Sequence, residues 1–204
     1  MVELNATFYR RFPDKTYEKW RDQAPEGFRY ALKAPRAVSH RKDLRESVGS
    51  IQEFCRSANL LEGRLGPILL QVGPSTRVDP EALDAALAAF DPAHQLAVEF
   101  RNDDWLTSET REVLDARGAA FVSVDSPRNS LMDWITGNAA YIRLHGRGEW
   151  FAYDYSDAEL EEMAGFIRET AEGRVGSVYL FVNCDIDGSG PRNARSLQEL
   201  LAGR

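Results

Sequence analysis

Glu99, Asp125 and His145 are the side chains of this chain best suited to move a proton, because carboxylates and imidazole are the groups most often tuned for acid–base work. Lys33, Arg36, Arg101 and Arg143 supply positive charge of the kind that clamps a carboxylate or phosphate, and the loop from Arg36 to Lys42 adds His40 and Arg41. Glu3, Asn5, Gln71 and Asn183 add polar groups able to hold a substrate. Together these residue types suit hydrolysis or elimination on a phosphorylated, sugar or nucleotide-like compound. Glu3, Glu99 and Asp125 could equally hold a divalent metal through oxygen, although no spacing signals one. A plainer reading stands beside both: Glu99 pairs with Arg101 or Arg143, and Glu3 with Lys33, in a salt-bridged interior. Buried charge is costly unless it is paired or used, so the cluster carries the functional reading more than any one member.

The elements that must position these groups follow from periodicity. Within Gln95 to Arg101, Leu96, Val98 and Phe100 are large and apolar, whereas Ala97, Glu99 and Arg101 are small and then charged. Successive strand side chains point to opposite faces, so one face is apolar and the other turns ionic toward its C-terminal end. Similar strands are expected over Val2–Phe8, Phe28–Ala34, Leu65–Val72, Ala120–Asp125, Ala139–His145 and Ser177–Asn183. Helices are expected from Pro13 to Gln23, from Ser47 to Asn59, after Asp79-Pro80, from Thr107 or Ser108 to Arg117, from the capping box Ser156-x-x-Glu159 to Ala171, and over Asn193–Leu201. Strands alternating with helices argue for parallel pairing with right-handed crossovers. An open doubly wound sheet would bury both strand faces. Here one face is polar, and its charges crowd the strand C-terminal ends, where (β/α) barrels keep their active sites.

Composition is consistent with one domain spanning 1–204. The 204 residues are 43% hydrophobic, and the net charge of −7 leaves no global footprint for nucleic acid or an acidic membrane. A local basic patch stays open. Cys55 and Cys184 lack CxxC spacing and read as reduced thiols of a cytoplasmic protein. No signal peptide is evident, and no apolar run approaches the roughly 20 residues that span a bilayer.

Several segments carry a resemblance: Val-Glu-Leu-Asn-Ala-Thr-Phe-Tyr-Arg from Val2, Phe-Arg-Tyr-Ala-Leu-Lys-Ala-Pro-Arg from Phe28, Leu-Gly-Pro-Ile-Leu-Leu-Gln from Leu65, Ala-Val-Glu-Phe-Arg with Trp105, Tyr-Ile-Arg-Leu-His-Gly from Tyr141, and Asn193-Ala194. In that order, across essentially the whole chain, they resemble the YecE-like family, domain of unknown function 72. The resemblance implies a TIM-barrel-like fold with a polar, charged mouth and implies no activity. Family members usually begin with a further strand and a Gly-x-Ser-Gly-Trp-like segment. By that comparison the first βα unit is missing, which implies either a seven-stranded, open arrangement with exposed edges or a truncated gene model. The family's Asn-Asn-Asp reads Asn183-Cys184-Asp185 here, and Cys184, in phase with Val182, is expected as a buried small hydrophobe rather than a catalytic thiol.

Other candidates are secondary. His40, in a basic loop from Arg36 to Arg45, and His94, beyond a helix, are not clearly placed to join His145, and Arg41, Lys42 and Arg45 read as a solvated face. Gly146-Arg147-Gly148-Glu149-Trp150 reads as a mobile loop able to close over a ligand. Tyr9, Trp105, Trp150, Phe151 and Tyr153 could stack on a sugar or base, or simply pack. Asp185 to Gly190 lacks the length and closing Glu of a calcium loop. The expected partner is a small anionic ligand. The alternative function is non-catalytic binding of a metabolite or of single-stranded or duplex nucleic acid, with salt-sensitive affinity and no turnover. The sequence names no cofactor and carries no signal for oligomeric state.

Overall fold

Two-residue alternation sets the strands of this protein, and proline, glycine and capping side chains set where they stop. The computed structural model describes residues 1–171, 173–185 and 188–203, in two compact units, 1–119 and 120–204. Along the chain, parallel strands alternate with helices in a TIM-barrel-like (β/α) fold.

The first unit carries β1 (Val2–Leu4), β2 (Tyr30–Lys33), β3 (Leu65–Val72) and β4 (Leu96–Phe100), joined in parallel in that order. Register aligns Leu4 with Leu32, Lys33 with Leu69, and Gln71 with Glu99. Its helices are α1 (Ala6–Tyr9), α2 (Asp14–Gln23), α3 (Arg36–Ser39), α4 (Val48–Ala58), α5 (Pro80–Ala88) and α6 (Ser108–Ala116). Leu32, Ile68, Leu70 and Val98 from the strands are fully buried, as are Ile51, Leu83 and Leu114 from the helices. Each such side chain contributes about 1.5–3 kcal/mol relative to exposure. Local chemistry agrees with packing. Asp79 caps α5 by accepting from the Ala82 amide at 3.0 Å, and the Arg45 guanidinium beside it at 2.6 Å holds its carboxyl down at about 2. Thr107 caps α6, and Gly118, two residues past its last residue, takes φ +62°.

The second unit carries β5 (Ala120–Asp125), β6 (Ala139–Leu144) and β7 (Ser177–Val182), also parallel, with Asp125 aligned to Leu144 and Leu144 to Val182. α7 (Asp157–Ala171) opens with the expected capping box: the Ser156 amide donates to Glu159 at 2.9 Å and the Glu159 amide to Ser156 Oγ at 3.4 Å. Together with α8 (Ser189–Leu201) it packs Leu160, Met163, Ile167 and Leu197 against Ile142 and Leu144. Cys184 lies fully buried in that cluster, and both Cys55 and Cys184 are free thiols. Burial lifts the Cys184 thiol to about 11, so it is the inert hydrophobe its phase implies.

Three boundaries depart from the sequence reading. The first strand ends at Leu4, and residues 6–9 form a helical turn, because the Thr7 hydroxyl bonds back to the Leu4 carbonyl at 2.9 Å and to the Lys33 carbonyl at 2.7 Å. The basic loop starts with a helical turn, α3, whose amides at Val38, Ser39 and His40 bond back to Pro35 and Arg36. The last helix starts at Ser189 rather than Asn193, since Pro191 lies in a first turn where its missing N–H leaves nothing unpaired. Val178, in apolar phase, is nevertheless exposed. Within the segment weighed as a calcium loop, Ile186 and Asp187 lie outside the described residues.

Gly190 sits so close to the chain that a Cβ would stand 2.2 Å from the Cys184 carbonyl oxygen, whereas a Cβ on Gly165, inside α7, would meet open space. Gly190→Ala is therefore expected to lower unfolding free energy by about 2 kcal/mol or more, and Gly165→Ala to raise it by about 0.5–1 kcal/mol. Urea midpoints at unchanged m-value measure both, and equal midpoints for the two variants would refute the packing argument.

Candidate functional site

In the first unit the strand C-terminal ends gather charge. Glu99, the penultimate residue of β4, is 1% exposed. Its Oε1 accepts from Gln71 Nε2 at 2.9 Å and pairs with Arg101 Nε at 2.8 Å. Strand register makes the first contact, since Gln71 and Glu99 are aligned neighbours, and strand phase makes the second, since Arg101 follows two residues later on the same face. The plainer pairing expected for Glu99 thus exists, with Arg101 on the half-exposed side. Glu3 accepts from the Asn5 amide at 3.1 Å. Lys33, buried at the end of β2, holds its ammonium 4.3 Å from the centre of the Phe8 ring.

His40 belongs to this neighbourhood, carried there by the basic loop that follows the Lys33 strand. Its ring lies edge-on to Phe8 at 5.2 Å and over Gly73, just past the end of β3, where a Cβ would come within 3.0 Å of the imidazole. Burial first, and then the positive charges of Arg36, Lys33 and Arg101, push its pKa down, which favours the neutral imidazole. Gly73, whose missing side chain leaves the ring its place, is a second signal. His94 bonds Asn59 at 2.6 Å at the opposite, N-terminal end of β4. Arg45 is absorbed by Asp79 and Glu81, and Arg41 by the Ala37 carbonyl, as a solvated face implies.

The second unit builds its strand ends around Asp125, the last residue of β5 and 3% exposed. Tyr155 donates its hydroxyl to Asp125 Oδ2 at 2.9 Å while accepting from the Gly146 amide at 2.9 Å. Arg147 donates Nε to the same carboxylate at 3.2 Å and reaches Glu162 at 3.0 Å with its other end. Glu159, 3.6 Å from Arg147, also accepts from the Tyr153 hydroxyl at 2.7 Å. Desolvation pushes the Asp125 carboxyl up against the lowering effect of Tyr155 and Arg147. The Glu162 carboxylate, with Asp125 behind it, holds Arg147 firmly protonated, and burial beside Asp125 keeps Tyr155 a phenol. A cavity of about 450 Å³ opens onto Asp125, Ser126, Ser130, Arg147 and Glu162.

His145, buried just past β6, is set by backbone: its amide donates to the Asp125 carbonyl at 2.8 Å, and its carbonyl accepts from Phe151 at 2.8 Å. The imidazole packs against Trp150 at 5.8 Å and Phe151 at 5.2 Å. Phe151 adopts φ +62° to close that turn, a strain of about 1–2 kcal/mol for a non-glycine residue. Arg143, aligned between Val124 and Phe181, is 2% exposed. Asn183 anchors its amide on the Leu144 carbonyl at 2.8 Å, and its Nδ2 is buried without a hydrogen-bond partner among the described residues. The glycine-flanked segment after His145, read as a mobile loop, is pinned through Arg147. Sequence reasoning missed Tyr155, Glu159 and Glu162 as members of this group, because helix phase and capping account for the two glutamates and nothing marks a lone tyrosine. Among the described residues no group of three or more His, Cys, Asp or Glu is arranged to hold a metal ion, and no helix is long and apolar enough to cross a membrane.

Parallel strands alternating with helices, with buried charge at strand C-terminal ends, define a TIM-barrel-like α/β protein. The chain belongs to the DUF72 family: the family described as "Protein of unknown function DUF72" matches residues 1–204. It is similar to UPF0759 protein YunF of Bacillus subtilis (strain 168), 24% identical over 237 residues that cover 98% of this chain and 83% of that one. It is also similar to UPF0759 protein YecE of Escherichia coli (strain K12), 33% identical over 75 residues, covering 37% of this chain and 27% of the relative. Among solved structures, a DUF72 family protein from Thermotoga maritima MSB8 matches with a TM-score of 0.82 and 29% identity, covering 98% of this chain and 84% of that one. Another, from Enterococcus faecalis V583, matches with a TM-score of 0.81, covering 98% and 89%; at 20% identity it shows the fold alone.

A raised carboxyl pKa means that the folded chain binds the Asp125 proton more tightly than the unfolded chain does. Its contribution to stability is therefore full below the unfolded value of about 4 and is lost as pH rises through the folded value. Asp125→Asn removes that titration. Urea unfolding across pH is expected to show the variant gaining stability relative to the parent as pH rises from about 4 toward neutrality. A difference independent of pH would overturn the assignment.

Proposed function

We propose that this DUF72 protein binds a small anionic compound at the C-terminal ends of its strands and cleaves it by acid–base chemistry, as a hydrolase or lyase acting on a phosphorylated, sugar or nucleotide-like substrate in the cytoplasm. One observation carries the reading: Lys33, Glu99, Asp125, Arg143 and His145 are all buried and all lie at or next to the C-terminal end of a strand. A fold gains nothing in stability from burying so much charge, since well-packed apolar side chains serve at least as well. Function is the usual reason to keep it.

In this reading each unit contributes its own strand-end group. In the first, Glu99 exchanges protons with the substrate, Lys33 and Arg101 neutralise the anion, and Glu3, Asn5 and Gln71 orient its polar groups. In the second, His145 exchanges protons, Asp125, whose carboxyl is already pushed up, is a further acid, Arg143 neutralises the anion and Asn183 orients it. A metal or cofactor is not required by these roles.

The test is a turnover screen of phosphorylated sugars, nucleotides and sugar acids, with and without Mg²⁺ or Mn²⁺, read by mass spectrometry. On the substrate found, Glu99→Gln and His145→Gln are expected to lower kcat by about 10²–10⁴-fold, and Lys33→Met to act mainly on KM. Full turnover by Glu99→Gln would overturn the acid–base assignment. Salt-sensitive binding of a metabolite or nucleic acid without turnover would favour a binding protein instead.

A further inference from the structure

Phe8 has two sides. Lys33 lies over its ring, and the ring also walls a separate cavity of about 230 Å³ in the first unit, formed where α1, α2, α3 and α4 meet. None of Lys33, Gln71, Glu99 or Arg101 lines that cavity, so it is not part of the strand-end group. We propose that it binds a compact aromatic carboxylate, a single ring carrying one acidic arm.

Three features select that class. The floor is apolar and largely aromatic: Phe8, Tyr17, Val38 and Phe54 are all buried, and Tyr9 stands exposed at the edge, its ring 5.0 Å from Phe8 and nearly perpendicular to it. Rings presented at such angles favour an aromatic guest, which can meet them edge to face. The volume suits one ring and a short arm, since an apolar cavity of about 150 Å³ already accepts benzene.

Charge at the rim supplies the anion. Arg10, Arg11 and Arg36 line the cavity, and the one carboxylate among the lining residues, Glu53, is the ion-pair partner of Arg11. Arg36 is exposed and has no carboxylate partner among the described residues, and Arg10 rests over the Phe12 ring at 4.5 Å. Neither Arg36 nor Arg10 thus has a carboxylate partner among the described residues at the rim of this aromatic cavity, and a planar guanidinium matches a carboxylate with paired hydrogen bonds.

Phenylacetate is the probe, titrated calorimetrically into the full chain, with 2-phenylethanol as its neutral counterpart and hexanoate as its aliphatic one. Saturable binding of phenylacetate is expected, with both counterparts weaker. Arg36→Gln should weaken it about tenfold, the loss of one charge-assisted hydrogen bond. Ala37→Trp places a bulky side chain at an exposed lining position and should abolish binding while leaving the thermal unfolding midpoint unchanged. No saturation by phenylacetate at millimolar concentration, or unchanged affinity in both variants, would overturn the site. Equal affinity for 2-phenylethanol would overturn the role of the arginines, and preference for hexanoate would overturn the aromatic class.

Discussion

A carboxylate with 1% of its surface exposed must be compensated where it stands, and Glu99 is compensated by strand pairing. Gln71 reaches it only because β3 and β4 align those two residues. A slip by one residue would turn Gln71 to the other face and leave the Glu99 carboxylate buried without its amide donor. Electrostatics therefore enforce the same register that the apolar face requires: Leu70 and Val98 demand it from one side of the sheet, and Gln71 and Glu99 from the other. Arg101, placed by the same phase, completes the pair at the strand end.

The second unit solves the same problem with a helix instead of a neighbouring strand. Asp125 receives its donors from Tyr155 and Arg147, and Arg147 in turn is held by Glu162 on α7. A hydrogen-bonded path thus runs from the end of β5 through one arginine to the surface of the helix. Its two ends differ in exposure: Asp125 is buried, whereas Glu162 is largely in water. Solvent screening weakens the outer contact far more than the inner one.

Much of the fold was legible because two periods, two and 3.6, and a few capping residues decide it. Leu65–Val72, Ala120–Asp125 and the capping box at Ser156 stand where the pattern puts them. What misled was chemistry that acts over a few residues. Thr7 turned the end of an expected strand into a helical turn through its hydroxyl, and the last helix starts at Ser189 rather than Asn193, with Pro191 in its first turn. Strand phase also marked Lys33, Gln71, Glu99, Asp125 and Arg143 as polar-face residues, and the structure buries every one of them near a strand end. Partners from helices and loops were not legible, because Tyr155 and Glu162 reach their neighbours through tertiary packing that no spacing encodes. The chemistry of the strand ends was legible only as residue types.

Gly146 joins the two themes of the second unit, standing between His145 and Arg147. At φ +93°, with a Cβ position only 2.5 Å from both the Glu149 carbonyl oxygen and Tyr153 Cβ, it has neither the conformation nor the room for a side chain. Its amide is also the donor that fixes the Tyr155 hydroxyl. The peptide between the imidazole and the guanidinium is thus a rigid spacer of one length. Diversifying this loop by insertion or random substitution would have to start beyond Arg147, because any change to the spacer moves both groups at once.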